Sequence, residues 1–176
     1  MLASACGFGA TPSARSSEPS AASTAGYLTY SDATYGFRIQ YPPDWSEQAG
    51  TAGSVVAFLS QPQGPSDDFR DNVNVLVQDL PDPSTSLQQY TDLSIRQGPD
   101  VIDGFKLLSS GPSVLASRSA ERVTYLGRPG GRDLKFEAVW LVEKGRAYVV
   151  TYTATPDTFD SLEPMAEAII ESFRLG

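Results

Sequence analysis

The stretch YGFRIQYPPDW, residues 35 to 45, constrains this chain more than any other. Tyr35, Phe37, Ile39 and Tyr41 fall on one side of an extended segment and Arg38 and Gln40 on the other. That period of two is the pattern of a strand with one face in a core. Pro42 and Pro43 then end the ladder, because proline has no amide to donate, and Trp45 follows within two residues. A strand opening on aromatics and stopped so abruptly needs a sheet to join and a core for its rings.

The rest of the chain supplies both. Residues 54 to 60 (SVVAFLS) form an apolar run of strand length, followed by QPQGPSDDFRD, whose prolines, glycine and aspartates break it. In residues 72 to 80, Val73, Val75 and Val77 alternate with Asn72, Asn74 and Gln78, again a half-buried strand. Ser84 or Ser86 is placed to cap a helix carrying Leu87, Tyr90, Leu93 and Ile95, with Gly98 and Pro99 expected to end it. Leu115 to Leu126, Leu134 to Glu143 and Ala147 to Thr155 read as three strands of a meander, joined by the glycine-bearing turns RPGGRD and EKGR. In the middle strand Leu134, Phe136, Ala138, Trp140 and Val142 share one face, while Val139 and Leu141 make the other partly apolar, as expected beneath helices. Pro156 and Asp157 open an amphipathic helix carrying Leu162, Met165, Ala166, Ile169, Ile170 and Phe173, whose start Pro164 is expected to delay. The predicted class is α+β, a mostly antiparallel sheet flanked by helices, within one domain over residues 27–176. At 176 residues the chain is long enough for one real core and too short for two ordinary domains.

Three blocks in this order, YGFRIQYPPDW, DDFRDNVNVLVQDLP and KFEAVWLVEKGRAYVVTYTATPDTFDSL followed by IIESF, resemble the PsbP-like domain. The family is named for an extrinsic subunit of photosystem II. The resemblance spans residues 27–176 and points toward prokaryotic PsbP-related proteins, lipid-anchored cyanobacterial forms among them. It implies an α/β/α sandwich, an accessory or assembly role on a membrane complex, and an association with calcium. Any link to photosystem II is carried by the family name alone.

Charge and composition exclude other classes. The net charge is −8, with 13 basic against 21 acidic residues and lysine only at 106, 135 and 144. An acidic surface without a basic stripe repels phosphate backbones, so nucleic acid is not an expected partner. The chain has no histidine, which removes Ser-His and Cys-His nucleophile pairs and imidazole-ligated zinc or copper. The expectation is a protein that is not an enzyme.

The N-terminus reads as a tether. Ala3, Ser4 and Ala5 before Cys6 resemble the end of a bacterial lipobox, with Leu2 one place further out than the usual leucine. Residues 7–26 hold one large apolar residue, Phe8, in a background of Ser, Ala, Thr, Gly and Pro, a composition that cannot offset its own ordering entropy. The two readings are a lipidated Cys6 carrying an extracytoplasmic domain on a spacer, with a signal segment encoded before Met1, and a plain tail with one thiol. As the sole cysteine, Cys6 forms no intramolecular disulfide.

Candidate sites are few. Asp67, Asp68 and Asp71, beside Asn72, bring oxygen ligands together within five residues and are the metal candidates, for Ca2+, although they lack an EF-hand's alternation, glycine and terminal glutamate. Local turn chemistry explains the same residues without a metal. Ser117, Ser119, Glu121 and Arg122 read as the solvent face of a strand, and Lys135 with Glu137 as a solvated row. Trp45 and Trp140 read as core anchors rather than stacking platforms. Two functions fit: an accessory domain that binds or assembles a partner complex, and a surface carrier of a small ligand or calcium in an apolar cleft or on the aspartate loop.

Overall fold

A computed structural model describes residues 24–50, 53–65 and 67–176. All strand pairings are antiparallel and form two sheets. The smaller has β2 (Phe37–Tyr41) at its centre, between β1 (Leu28–Asp32) and β10 (Arg174–Leu175). The larger has seven strands: β3 (Ser46–Ala49), β4 (Ser54–Leu59), β5 (Asn72–Asp79), β9 (Arg146–Ala154), β8 (Leu134–Glu143), β7 (Arg118–Gly127) and β6 (Lys106–Leu115), in that spatial order. Helix α1 (Leu87–Val101) covers part of one face, and α2 (Phe159–Glu171) packs on the other together with the small sheet.

The alternation in the opening block holds from Phe37 onward, while Tyr35 falls in the turn before β2 rather than on the strand. Phe37, Ile39 and Tyr41 are buried, and Pro42 and Pro43 end β2 where expected. Phe37 stacks on Phe173 and Tyr41 on Phe58, so the small sheet is sewn to α2's end and to β4 by rings. Trp45 and Trp140 are both core residues, each 5% exposed. The two cores lie on opposite faces of the large sheet. Val139, Leu141, Val150 and Tyr152 pack toward Ile169, Ile170 and Phe159 of α2, while Ala138, Trp140 and Val123 pack toward Tyr90 of α1.

Three expectations need correction. Residues 115 to 126 are not one strand: Ala116 and Ser117, at φ +51° and +59°, turn a hairpin between β6 and β7. Ser117 is therefore a turn residue. The polar, proline-bearing sequence of β6 hides its strand character, because this strand is an edge, mostly exposed, bulged around Leu108 and carrying Pro112.

Helix α1 runs through Gly98 and Pro99 to Val101. Proline that close to the end forfeits little of the helical ladder, and Ile102 N–H still reaches Gly98 O at 2.9 Å. Helix α2 likewise starts at Phe159 and carries Pro164 within it, so the proline does not delay it. Ser86, not Ser84, caps α1, in a reciprocal pair with Gln89.

Candidate functional site

The main cavity lies between α1 and the large sheet. The capping box at Ser86 fixes where α1 begins, and the Trp140 indole N–H donates to Thr91 Oγ1 at 2.9 Å, pinning helix to sheet. Tyr90 meets Trp140 edge-on. At the other end Gly98 allows close approach: a Cβ there would stand 2.7 Å from the Phe105 ring. The helix leaves beneath it a cleft of about 340 Å³.

Its walls are Leu76, Val123, Val149, Ile95 and Ile102 with the rings of Tyr90, Phe105, Tyr125 and Trp140, and its polar atoms come from Asn74, Gln78, Ser94, Gln97 and Thr151. None of the lining residues carries a charge at neutral pH. Burial pushes the Tyr125 phenol up to about 12 and raises Tyr90 as well, so neither ionises under physiological conditions. Such a lining holds an uncharged ligand or apolar surface and offers its hydroxyls no general base. Asn74 and Gln78, on the polar side of the half-buried strand expected from the sequence, line this cleft. The periodicity was correct, but a period of two cannot say whether the polar side faces bulk water or a cleft.

The aspartate loop directs its three carboxylates to three different places. Asp67 accepts from the backbone N–H of Gln63 and Phe69 at 2.7 and 3.1 Å. Asp68 takes both terminal nitrogens of Arg132 at 2.7 Å, which holds its carboxyl below the usual range. Asp71 is 1% exposed and accepts from Thr158 at 3.1 Å and Gln63 at 2.9 Å, while burial raises its pKa. Asp71 thus ties the loop to the start of α2. Among the described residues no group of three acidic or sulfur side chains is placed to share a cation.

On the α2 face a different cluster appears. Glu137, expected in a solvated row with Lys135, is 6% exposed. Arg122, expected on a solvent face, reaches Glu137 Oε1 at 2.5 Å and also engages both carboxylate oxygens of Glu167 on α2. The signal was legible in part: Glu137, Val139 and Leu141 are spaced by two along β8, so Glu137 shares the face that α2 covers. Burial pushes Glu137 up to about 7, against the pull of Arg122. Lys135 is not simply solvated either, since its ammonium lies 3.8 Å from the centre of the Phe159 ring and 3.2 Å from Asp160. Ser119 and Glu121 do lie toward solvent, with Glu121 bonded to Ser110 across the β6–β7 pair.

Solved structures show which fold this is. The cyanobacterial PsbP protein (CyanoP) of Synechocystis sp. PCC 6803 superposes with a TM-score of 0.62 over 92% of this chain and 99% of its own, at 15% identity. The fold is PsbP-like. PA94 of Pseudomonas aeruginosa, a protein of unknown function, shares the arrangement at TM-score 0.60 and 17% identity over 83% of this chain and 94% of its own. LpqN of Mycobacterium tuberculosis, involved in cell envelope biogenesis, does so at TM-score 0.56 and 17% identity over 85% and 90%. No protein-family model and no curated protein sequence matches the chain. Across PsbP-like structures this divergent, it is the fold that is shared. Cys6 and the spacer up to residue 23 lie outside the described residues. No described helix is long and apolar enough to cross a membrane.

Proposed function

We propose that the chain is a non-catalytic, extracytoplasmic accessory domain, tethered through Cys6, that works by binding rather than by turnover. The observation that carries this reading is the cleft under α1: an uncharged, aromatic-walled cavity whose hydroxyls have no base beside them. The absence of histidine from the whole chain supports it. So does the occurrence of the same fold in a protein involved in cell envelope biogenesis. Association with photosystem II would follow only from kinship with CyanoP, and 15% identity carries the fold alone.

Mass spectrometry of the mature N-terminus tests the tether: a diacylated Cys6 is expected, and an unmodified Met1 on protein recovered from the cytoplasm removes it. The binding role is tested by placing a charge in the cleft. Val149→Arg is expected to abolish partner capture from the native membrane fraction while Ser119→Arg, on the outer surface, leaves it intact. Equal capture by both variants would take the cleft out of the function.

A second reading is favoured by the size of the cleft. About 340 Å³ is within the range of small-molecule pockets, which suits a surface carrier of an uncharged ligand. A neutral fluorescent apolar probe, displaced from the wild type and unable to bind Val149→Arg, would favour the carrier over the assembly role.

A further inference from the structure

The outer face of the small sheet carries a second cavity, of about 230 Å³, lined by Thr29, Arg38, Gln40, Ser172 and Arg174. In the register of β2 and β10, Arg174 stands directly opposite Arg38. Like charges facing each other across an antiparallel pair repel, and a neighbouring carboxylate would offset this. Here none lines the cavity, in a chain where acidic residues outnumber basic ones 21 to 13. Arg118, Arg122, Arg128, Arg132, Lys135 and Arg146 all sit on carboxylates. Arg38 and Arg174, like Arg70, Arg96, Lys106 and Lys144, form no ion pair among the described residues, but they alone face each other across a strand pair. Arg174 spends Nη1 on the carbonyls of Glu171 and Phe173, at the end of α2, which orients its guanidinium and leaves its other nitrogens unpartnered. The Arg38 side chain has no hydrogen-bond partner among the described residues. Ser172 is occupied with the β2 backbone and α2, so it forms the floor rather than a donor.

From this facing pair we infer that the outer face of the small sheet is an oxyanion site, built to take a phosphate group between Arg38 and Arg174 with Gln40 and Thr29 as neutral donors. Two guanidinium groups that line one cavity from facing register positions supply more donors than a single carboxylate can take, and suit a phosphate. Occupancy would cancel the repulsion that the register imposes. Thr29 is the second residue of β1, so the site lies where the N-terminal spacer joins the domain. On the tethered reading this end is held closest to the bilayer, which makes a phospholipid headgroup one source of the phosphate. Free phosphate is the other. The site itself does not depend on the anchor.

The test uses the full chain in two arms. Inorganic phosphate is titrated at constant ionic strength, reading the arginine side-chain and Gln40 amide resonances. In parallel, the protein is sedimented with phosphatidylcholine vesicles with and without phosphatidic acid. Arg38→Gln is the decisive variant, because the exposed Arg38 side chain makes no hydrogen bond or ion pair among the described residues and the substitution keeps the strand backbone; Arg128→Gln removes the same charge elsewhere. We expect Arg38→Gln to weaken binding at least about fivefold, as loss of a charge-assisted fork should, with Arg128→Gln near wild type. Response to free phosphate assigns a soluble ligand, and sedimentation that needs phosphatidic acid assigns a headgroup. Silence in both arms, or equal losses in the two variants, overturns the site. An unlipidated Cys6 would remove the bilayer argument and leave the free-phosphate arm standing.

Discussion

Nη1 of Arg122 stands 2.5 Å from Oε1 of Glu137, and the same guanidinium holds Glu167 from the neighbouring helix. One cation on β7 thus joins β8 to α2, across a face whose core contacts are largely apolar. The arrangement is asymmetric: Glu137 has 8% of its side chain exposed and Glu167 30%. The more buried carboxylate bears the larger desolvation cost and titrates late.

The pH dependence of stability follows from that asymmetry. The pKa of Glu137 in the fold is raised to about 7 from an ordinary 4.5. A group raised in the folded state contributes stability that is fully present below its unfolded value and is lost as pH rises through the folded one. Wild-type stability should therefore fall between about pH 5 and pH 7.5, by at most about 2–3 kcal/mol. Glu137→Gln should flatten that fall in urea melts taken at pH 5 and pH 8, and parallel profiles would sink the assignment. Arg122→Leu should be far more damaging at pH 8 than at pH 5, where Glu137 can take up a proton.

Trp140→Ala removes a core ring and its bond to Thr91, and should cost about 3–5 kcal/mol. Lys135→Ala, which a solvated row would make nearly silent, should cost about 0.5–1 kcal/mol through lost contact with the Phe159 ring. Thermal or urea denaturation of the two variants checks both, and equal losses would mean the faces of β8 are misassigned.

Gly98→Ala adds a methyl that meets the Phe105 ring at 2.7–2.8 Å. Against the usual gain of alanine over glycine in a helix, it should destabilise by about 1–3 kcal/mol, because α1 or Phe105 must move. A stabilised variant would show that the helix is free to lift.

Calcium at millimolar concentration should leave the melting temperature unchanged, since the oxygens of Asp67, Asp68 and Asp71 are already committed to amides, Arg132, Thr158 and Gln63. Asp71→Asn should nonetheless destabilise by about 1–2 kcal/mol through the tie to Thr158. A calcium-dependent rise in melting temperature, abolished by Asp68→Asn, would establish a metal site there.

What the sequence made legible was whatever periodicity governs. β2 and β5 were readable because apolar side chains alternate along them, β8 and β9 because apolar stretches of strand length flank the glycine-bearing EKGR turn, and α2 because its apolar residues return every three to four positions. β6 was not, since an exposed edge strand has no buried face to print a pattern; its KLLSSGPSVL resembles a loop. Gly98 and Pro99 misled for the opposite reason: the local preference to end a helix was outweighed by the packing of Phe105 against the glycine. At the candidate sites, residue type was readable and partner was not. Arg122 and Glu137 lie 15 positions apart and Arg122 and Glu167 lie 45 apart. Only the fold brings those three together.

β2 is fastened on one side by residues 28–32 and on the other by residues 174–175, with Gln40 N–H bonded to Ser172 and Phe37 stacked on Phe173. The two ends of the domain's sequence thus share one strand. During synthesis, Phe37 at the start of that strand's aromatic stripe is left without part of its cover until residues 173–175 have emerged. A chain threaded outward from its N-terminus would carry that exposed stripe for the whole transit, and truncation by a few C-terminal residues would leave it open for good.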